Sequence, residues 1–359
     1  MDLAELLQYA VEYGASDLHL TVGRPPMVRI AGRLIPSGVE TPLGPDETKA
    51  LVYSILTDDQ KAKFEEEHEL DFSIGIPGIS RFRVNVFQQR GSVAGVFRTI
   101  GENIPTFEGL GLSDTVRQLA LLPRGLVLVT GPTGCGKSTT LAAVIQLINQ
   151  EKEAHILTIE DPIEFVHPHN RCTINQRELG SDTHSFPRAL KSVLREDPNV
   201  ILVGEMRDLE TIAAALTLAE TGHLVLSTLH TQDAAQTVDR IIDVFPPYQQ
   251  EQIRVMLASC LKGVVSQILL PRIDGVGRVA AREVMVVTPG IAAIIREAKT
   301  HQIYSAIQTG ASHGMCTMEK SLGELYQAGL ITEEDALSKA NHPQELRPLM
   351  TARQQYKIQ

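Results

Sequence analysis

The chain of 359 residues has no tryptophan and four cysteines, Cys135, Cys172, Cys260 and Cys316. The cysteines lie far apart and form no Cys-x-x-Cys pair, so the ligand spacing of a structural zinc site is missing. In a reducing compartment they are expected to be free thiols. No uninterrupted apolar run approaches the length of a bilayer span. Met1-Asp2-Leu3-Ala4-Glu5 lacks the basic start and apolar stretch of a secretion signal. The expectation is a protein made and kept in the cytosol. Positive charge is also short, with 33 Lys and Arg against 43 Asp and Glu, a formal net charge of −10. That balance argues against a nucleic-acid partner held by a broad basic surface, though not against a local basic groove.

Apolar residues make up 43% of the chain, ample for packed cores, and its length suits two domains better than one. The first hundred residues read as a small α+β domain. Asp2 to Tyr13 is amphipathic and helical, and Ser16 to Leu20 alternates as a half-buried strand does. Met27 to Ile30 follows a Pro-Pro pair. Asp46 to Glu67 is largely helical with a restart at Thr57, and Arg81 to Phe87 and Ser92 to Arg98 read as strands. Residues 101–112, with Pro105, Gly109 and Gly111, carry the turn chemistry of a linker. Beyond them apolar strands and helical stretches alternate, which implies a mostly parallel sheet covered on both faces. After Gln249 the pattern becomes predominantly helical, with one β-like run at Arg278 to Val287.

One motif dominates. Gly131-Pro132-Thr133-Gly134-Cys135-Gly136-Lys137-Ser138 fits G-x-x-x-x-G-K-[ST] and is followed by Thr139 at the start of a helical pattern. A buried-looking strand, Gly125 to Thr130, precedes it. Strand, glycine loop and helix together make a phosphate cradle: glycines let backbone N–H groups turn inward, and the helix N-terminus adds partial positive charge. Lys137 is expected at the β- and γ-phosphates and the Ser138 hydroxyl at Mg²⁺. The chain is thus expected to bind ATP or a related triphosphate. Cys135 reads as a small residue of the loop.

Hydrolysis needs acids beside the metal and the attacking water. Val200-Ile-Leu-Val-Gly204-Glu205 is an apolar strand ending in Gly then Glu, which leaves Glu205 as metal-water ligand or base, alone or with another carboxylate. Thr158-Ile-Glu160-Asp161-Pro162-Ile163-Glu164 offers further acids at the end of a neighbouring strand, the edge where open α/β sheets bind ligands. Thr221 to Thr231 places His223 and His230 at the two ends of a strand. Either one reads the γ-phosphate, or both satisfy backbone groups at strand ends. Arg81, Arg83, Arg90 and Arg98 lie on the N-terminal strand pair. They form a solvated basic face or supply arginine fingers, which can contribute about 10³–10⁵ in rate to phosphoryl transfer.

In this order the phosphate loop, the acidic box Thr158 to Glu164, the segment Asp197 to Asp208 and the histidine box Ala219 to Thr231 resemble the secretion-type ATPases of type II/IV secretion and pilus machines. Gly14 to Leu20 and Arg81 to Asn85 extend the likeness over nearly the whole chain, and within the family it points to the type IV pilus retraction ATPases (the PilT family). The retraction-type helix A-I-R-N-L-I-R-E corresponds to Gly290 to Glu297, which keeps Ile295-Arg296-Glu297 without the first Arg and the Asn. The resemblance implies an α/β chain: a PAS-like domain over 1–100, a linker over 101–112, and a RecA-like ATPase domain with C-terminal helices over 113–359. It implies ATP and Mg²⁺ as cofactors, with Glu205 and Glu164 as essential acids and Arg83 and Arg98 as fingers. It also implies a homohexamer at the inner face of the cytoplasmic membrane, an inner-membrane pilus platform protein as partner, and an assembly ATPase as antagonist. A ring of identical chains closes through head-to-tail contacts, which lets one subunit's nucleotide state move its neighbour. Three rival readings are a nucleic-acid translocase, a non-hydrolysing adaptor, and an accessory or assembly ATPase of the same machinery.

Overall fold

A computed structural model describes residues 2–30, 32–100 and 104–351. The chain divides into two compact units, Met1–Asn103 with Pro162–Val166, and Ile104–Asp161 with His167–Gln359. The first contains strands β1 (Asp17–Leu20), β2 (Met27–Ile30), β3 (Arg33–Pro36), β4 (Glu69–Ile76), β5 (Ser80–Gln89) and β6 (Ser92–Ile100). They form one sheet in the order β3-β2-β1-β6-β5-β4, antiparallel throughout. Along β5, Phe82, Val84 and Val86 are buried while Arg83 is exposed, the period-two signature that makes one face core. Helix Leu3–Glu12 seats Leu3, Leu6, Leu7 and Ala10 in that core and is capped by Asp2 with Glu5. The helical stretch expected over 46–67 is two helices, Pro45–Tyr53 and Asp58–Glu67. The second starts at Thr57, which exchanges hydrogen bonds with Gln60 in a capping box.

The second unit is built on β7 (Gly125–Thr130), β8 (His155–Glu160), β9 (Thr173–Glu178), β10 (Val200–Val203), β11 (Leu224–Leu229), β12 (Leu261–Pro271) and β13 (Arg278–Val286). Their order is β13-β12-β7-β11-β10-β8-β9, and all neighbours are parallel except the β12–β13 pair. Every residue of β7, β10 and β11 is buried. Alternate residues of β7 feed two separate cores, Leu126 and Leu128 on one side and Val127 and Val129 on the other. Helix Lys137–Glu151 covers the second of these faces and helix Leu209–Glu220 the first. Helix Pro289–Arg296 seats Ile291 and Ile295 in the core, leaving Arg296 and Glu297 exposed.

Two stretches differ from the sequence reading. Leu261–Pro271, expected to be helical, is β12, the strand beside β7. It follows helix Pro247–Cys260 without an intervening loop, and both its faces are buried, so its apolar run shows no alternation. Of the expected linker, residues 101–103 lie outside the described residues. Residues 104–112 belong to the second unit, where Phe107 and Leu112 are buried beside Val116 and Leu119.

Candidate nucleotide site

Parallel strands β7, β11, β10 and β8 finish on one edge of the second sheet, at Thr130, Leu229, Val203 and Glu160. The phosphate loop leaves β7 there. Gly131 has φ +140°, and a Cβ on it would stand 2.2 Å from Gln267 O. Gly136 has φ +88° as the N-cap of helix Lys137–Glu151. Both positions therefore require glycine, one for close approach and one for backbone sign. Lys137 Nζ donates to Gly131 O at 2.8 Å and Pro132 O at 3.2 Å, so its ammonium lies over the loop itself. Pro132, Thr133 and Gly134 are exposed, Ser138 and Thr139 half-buried. Cys135 is buried, and burial pushes its thiol above the ordinary range despite Lys137 nearby, which makes it a packing residue.

Glu205 follows β10. Its carboxylate meets Arg207 Nη2 at 2.8 Å through one oxygen and His230 Nε2 at 2.8 Å through the other. Burial pushes this carboxyl up, but the Arg207 hydrogen bond and the charges of His230, Arg207 and Lys137 outweigh it, so the net direction is downward. Gly204 explains the Gly-Glu ending of the strand. A Cβ there would lie 3.2 Å from Ile159 O and 3.3 Å from Glu160 Cα, so a side chain would press on the backbone at the end of β8. Gly204 N donates to Ile159 O at 2.8 Å and its O accepts from Thr228 Oγ1 at 2.7 Å, which locks the residue before Glu205 between both neighbouring strands. Beyond it, Asp208 caps helix Leu209–Glu220 through Thr211 N at 2.9 Å.

The remaining sequence candidates fall into three places. His230 stands at the loop edge with Glu205. His223 does not. It precedes β11 at the opposite edge, level with the start of β7 (Gly125 N donates to His223 O), and its ring contacts Leu218 O at 3.0 Å and Thr221 Oγ1 at 3.3 Å. The expectation that His223 reads the γ-phosphate is corrected: six strand residues, roughly 20 Å at 3.3 Å each, separate the two edges. Glu160 accepts from Thr158 Oγ1 at 2.6 Å and Gln176 Nε2 at 3.2 Å. Glu164 is exposed, in the segment Pro162–Val166 that sorts with the first unit.

Arg83 and Arg98 are direct cross-strand partners on β5 and β6, both exposed. Arg98 Nε donates to Asp17 Oδ1 at 2.9 Å, and Arg29 lies 3.6 Å from the other oxygen of the same buried carboxylate. Burial acts to raise the Asp17 carboxyl, and bonds from Ser16 and Arg98 bring it below its ordinary range.

Sequence reasoning missed Gln267, Arg207 and Asp17. Gln267 carried a faint signal, since Ser266-Gln267 interrupts the apolar run Val264 to Leu270. Among the described residues, no group of three or more His, Cys, Asp and Glu could hold a metal, and no helix is long and apolar enough to cross a membrane.

Residues 110–287 match the model of the Type II/IV secretion system protein family. A type IV pilus retraction ATPase, PilT, of Pseudomonas aeruginosa is 53% identical, over 96% of this chain and 99% of its own. The type IV pilus ATPase PilU of the same organism is 45% identical, over 97% and 91%. Among solved structures, the pilus retraction motor PilT with bound ADP superposes with a TM-score of 0.91 at 50% identity, covering 97% of this chain and 99% of that one. A phosphate loop and a paired glutamate at one sheet edge, in a chain alike from end to end, place this nucleotide-binding ATPase in the Type II/IV secretion system protein family, among its PilT-type members.

Proposed function

We propose that this chain is the motor that retracts type IV pili, a Mg²⁺-dependent ATPase working as a homohexamer on the cytoplasmic side of a membrane platform. The observation that carries the reading is its full-length likeness, at 53% identity, to a pilus retraction ATPase.

In the proposed mechanism Lys137 exchanges the carbonyls of Gly131 and Pro132 for phosphate oxygens. The Ser138 hydroxyl and, through water, Glu205 would hold Mg²⁺. This donor set of one hydroxyl and one carboxylate suits an ion that keeps waters and takes its other ligands from phosphates. When bound, the ion would supply positive charge against the charge of the phosphates. Glu205, kept ionised by Arg207, orients the attacking water, and His230 holds the second carboxylate oxygen in place. Glu164 is the second acid of the reading, and Arg83 and Arg98 are its fingers.

The deciding experiment counts surface pili by electron microscopy in a host lacking this gene, with and without complementation by Glu205→Ala. Hyperpiliated, non-retracting cells in both are expected. Bald cells would overturn the reading in favour of an assembly motor. A second reading, an accessory retraction ATPase, draws on the 45% identity to PilU. It predicts that the deletion strain still retracts its pili, with lowered force.

A further inference from the structure

Gln267 stands on β12, 132 positions after Cys135, and is 1% exposed. Its side-chain amide is used at both ends. Nε2 donates to Cys135 O at 2.7 Å, and Oε1 accepts from Thr140 Oγ1 at 2.9 Å. A carbonyl oxygen can only accept, so the amide nitrogen must face Cys135 and the amide oxygen is left for the Thr140 hydroxyl. The contact extends to the glycines. A Cβ on Gly131 would come to 2.2 Å from Gln267 O, and one on Gly136 to 3.3 Å from Gln267 Nε2. The loop's first glycine, its cysteine and its last glycine therefore all rest against one buried residue.

A phosphate cradle works only if successive N–H groups point to one side, and the carbonyls of the same peptides must then point to the other. In a planar trans peptide the two are fixed back to back. Once Gln267 holds Cys135 O on the protein side, the N–H of Gly136 has to project from the opposite face of that peptide. Without a donor the buried carbonyl would be left unpaired, and the peptide would turn to find another partner. We propose that Gln267 is a positioning residue for nucleotide binding: through Cys135 O it sets the Cys135–Gly136 peptide and aims the Gly136 N–H at the phosphates. The proposal rests on the reading of Gly131–Ser138 as a phosphate cradle. Thr140, near the start of the following helix, donates to the other end of the amide and so holds it in the orientation that Cys135 O requires.

The test uses the purified full chain with ADP as probe. Gln267→Leu is expected to raise the ADP dissociation constant about tenfold to a hundredfold, the range for a buried carbonyl stripped of its donor. Thr140→Val should raise it about threefold, since it frees the amide to turn without removing it. Gln267→Glu supplies the decisive profile. An ionised carboxylate cannot donate to Cys135 O but a protonated one can, so its affinity relative to the unmodified chain should recover as pH falls, while that of Gln267→Leu should stay flat. A residue that only held the fold together would lower the thermal midpoint without producing that pH dependence. Unchanged ADP affinity in Gln267→Leu would overturn the proposal. If that variant does not fold, a Gln267→Glu curve parallel to that of the unmodified chain would overturn it instead. Should the unmodified chain itself fail to bind ADP, the cradle reading beneath the proposal falls first.

Discussion

His230 Nε2 and Glu205 Oε1 stand 2.8 Å apart, each just past the end of a strand, with β10 and β11 paired in parallel register so that their ends lie side by side. Arg207 grips the other carboxylate oxygen at the same distance. The glutamate is thus held from both sides by neighbouring side chains, the pre-organisation that lets a carboxylate act on water without first being reoriented.

Glu205→Gln keeps the shape and removes the charge. Nucleotide should still bind, while phosphate release falls by about 10²–10⁴, the range for a lost general base. Steady-state phosphate release together with equilibrium binding of ATP checks this. A glutamine variant as fast as the parent would remove Glu205 from the chemistry.

Arg207→Ala should move the acidic limb of the turnover profile. Burial acts to raise the Glu205 carboxyl, and Arg207 is foremost among the groups that bring it down. With Arg207 gone the carboxyl titrates at higher pH, so activity should begin to fail at a less acidic pH than in the parent, with little change in the neutral plateau. A pH–rate profile of both proteins decides; coincident acidic limbs would show that Arg207 does not tune this group.

Arg83 and Arg98 should separate by stability. If both are fingers, alanine at either lowers turnover by about 10³ or more. Of the two, only Arg98 bonds the buried Asp17 carboxylate, so Arg98→Ala alone should also destabilise the fold, by about 0.5–1 kcal/mol for a pair whose arginine is largely exposed, and so lower the thermal midpoint. Differential scanning calorimetry of the two variants gives the comparison, and equal melting temperatures would contradict it.

Glu283 on β13 is 2% exposed, and burial pushes its carboxyl up to about 7, against the hydrogen bond it accepts from Ala234 N at 2.8 Å and with Asp233 and Glu319 nearby. A raised acid stabilises the fold fully below the ordinary glutamate range and loses that contribution as pH rises through about 7. Glu283→Gln retains the acceptor and abolishes the titration. Its thermal midpoint should match the parent near pH 4 and exceed it by several degrees above about pH 7.5, at roughly 2–4 °C per kcal/mol for a unit of this size. A constant offset across that window would show that Glu283 does not ionise there.

Much of this was legible in the sequence because the parallel strands are short, apolar and bounded by glycine or acid. Gly125–Thr130 and Val200–Val203 begin and end where the pattern puts them. The phosphate loop declared itself through residue types that only a cradle requires. Leu261–Pro271 was hidden because burial on both faces erases the alternation that marks a strand, and no breaker separates it from the helix before it. The polar break at Ser266-Gln267 was only a faint mark, since the importance of Gln267 lies in a contact across 132 positions that no local pattern encodes. His223 misled because symmetry in sequence is not symmetry in space. Histidines at the two ends of one parallel strand must face opposite edges of the sheet.

The row of side chains crossing four neighbouring strands of the first sheet, Arg29 on β2, Asp17 on β1, Arg98 on β6 and Arg83 on β5, holds three cations and one anion in register. In a molecule with a formal net charge of −10, that row generates a local field against the sign of the whole. An anion close to this row meets an attraction that the overall charge does not foretell, so the capture rate of a polyanion there should fall as ionic strength rises.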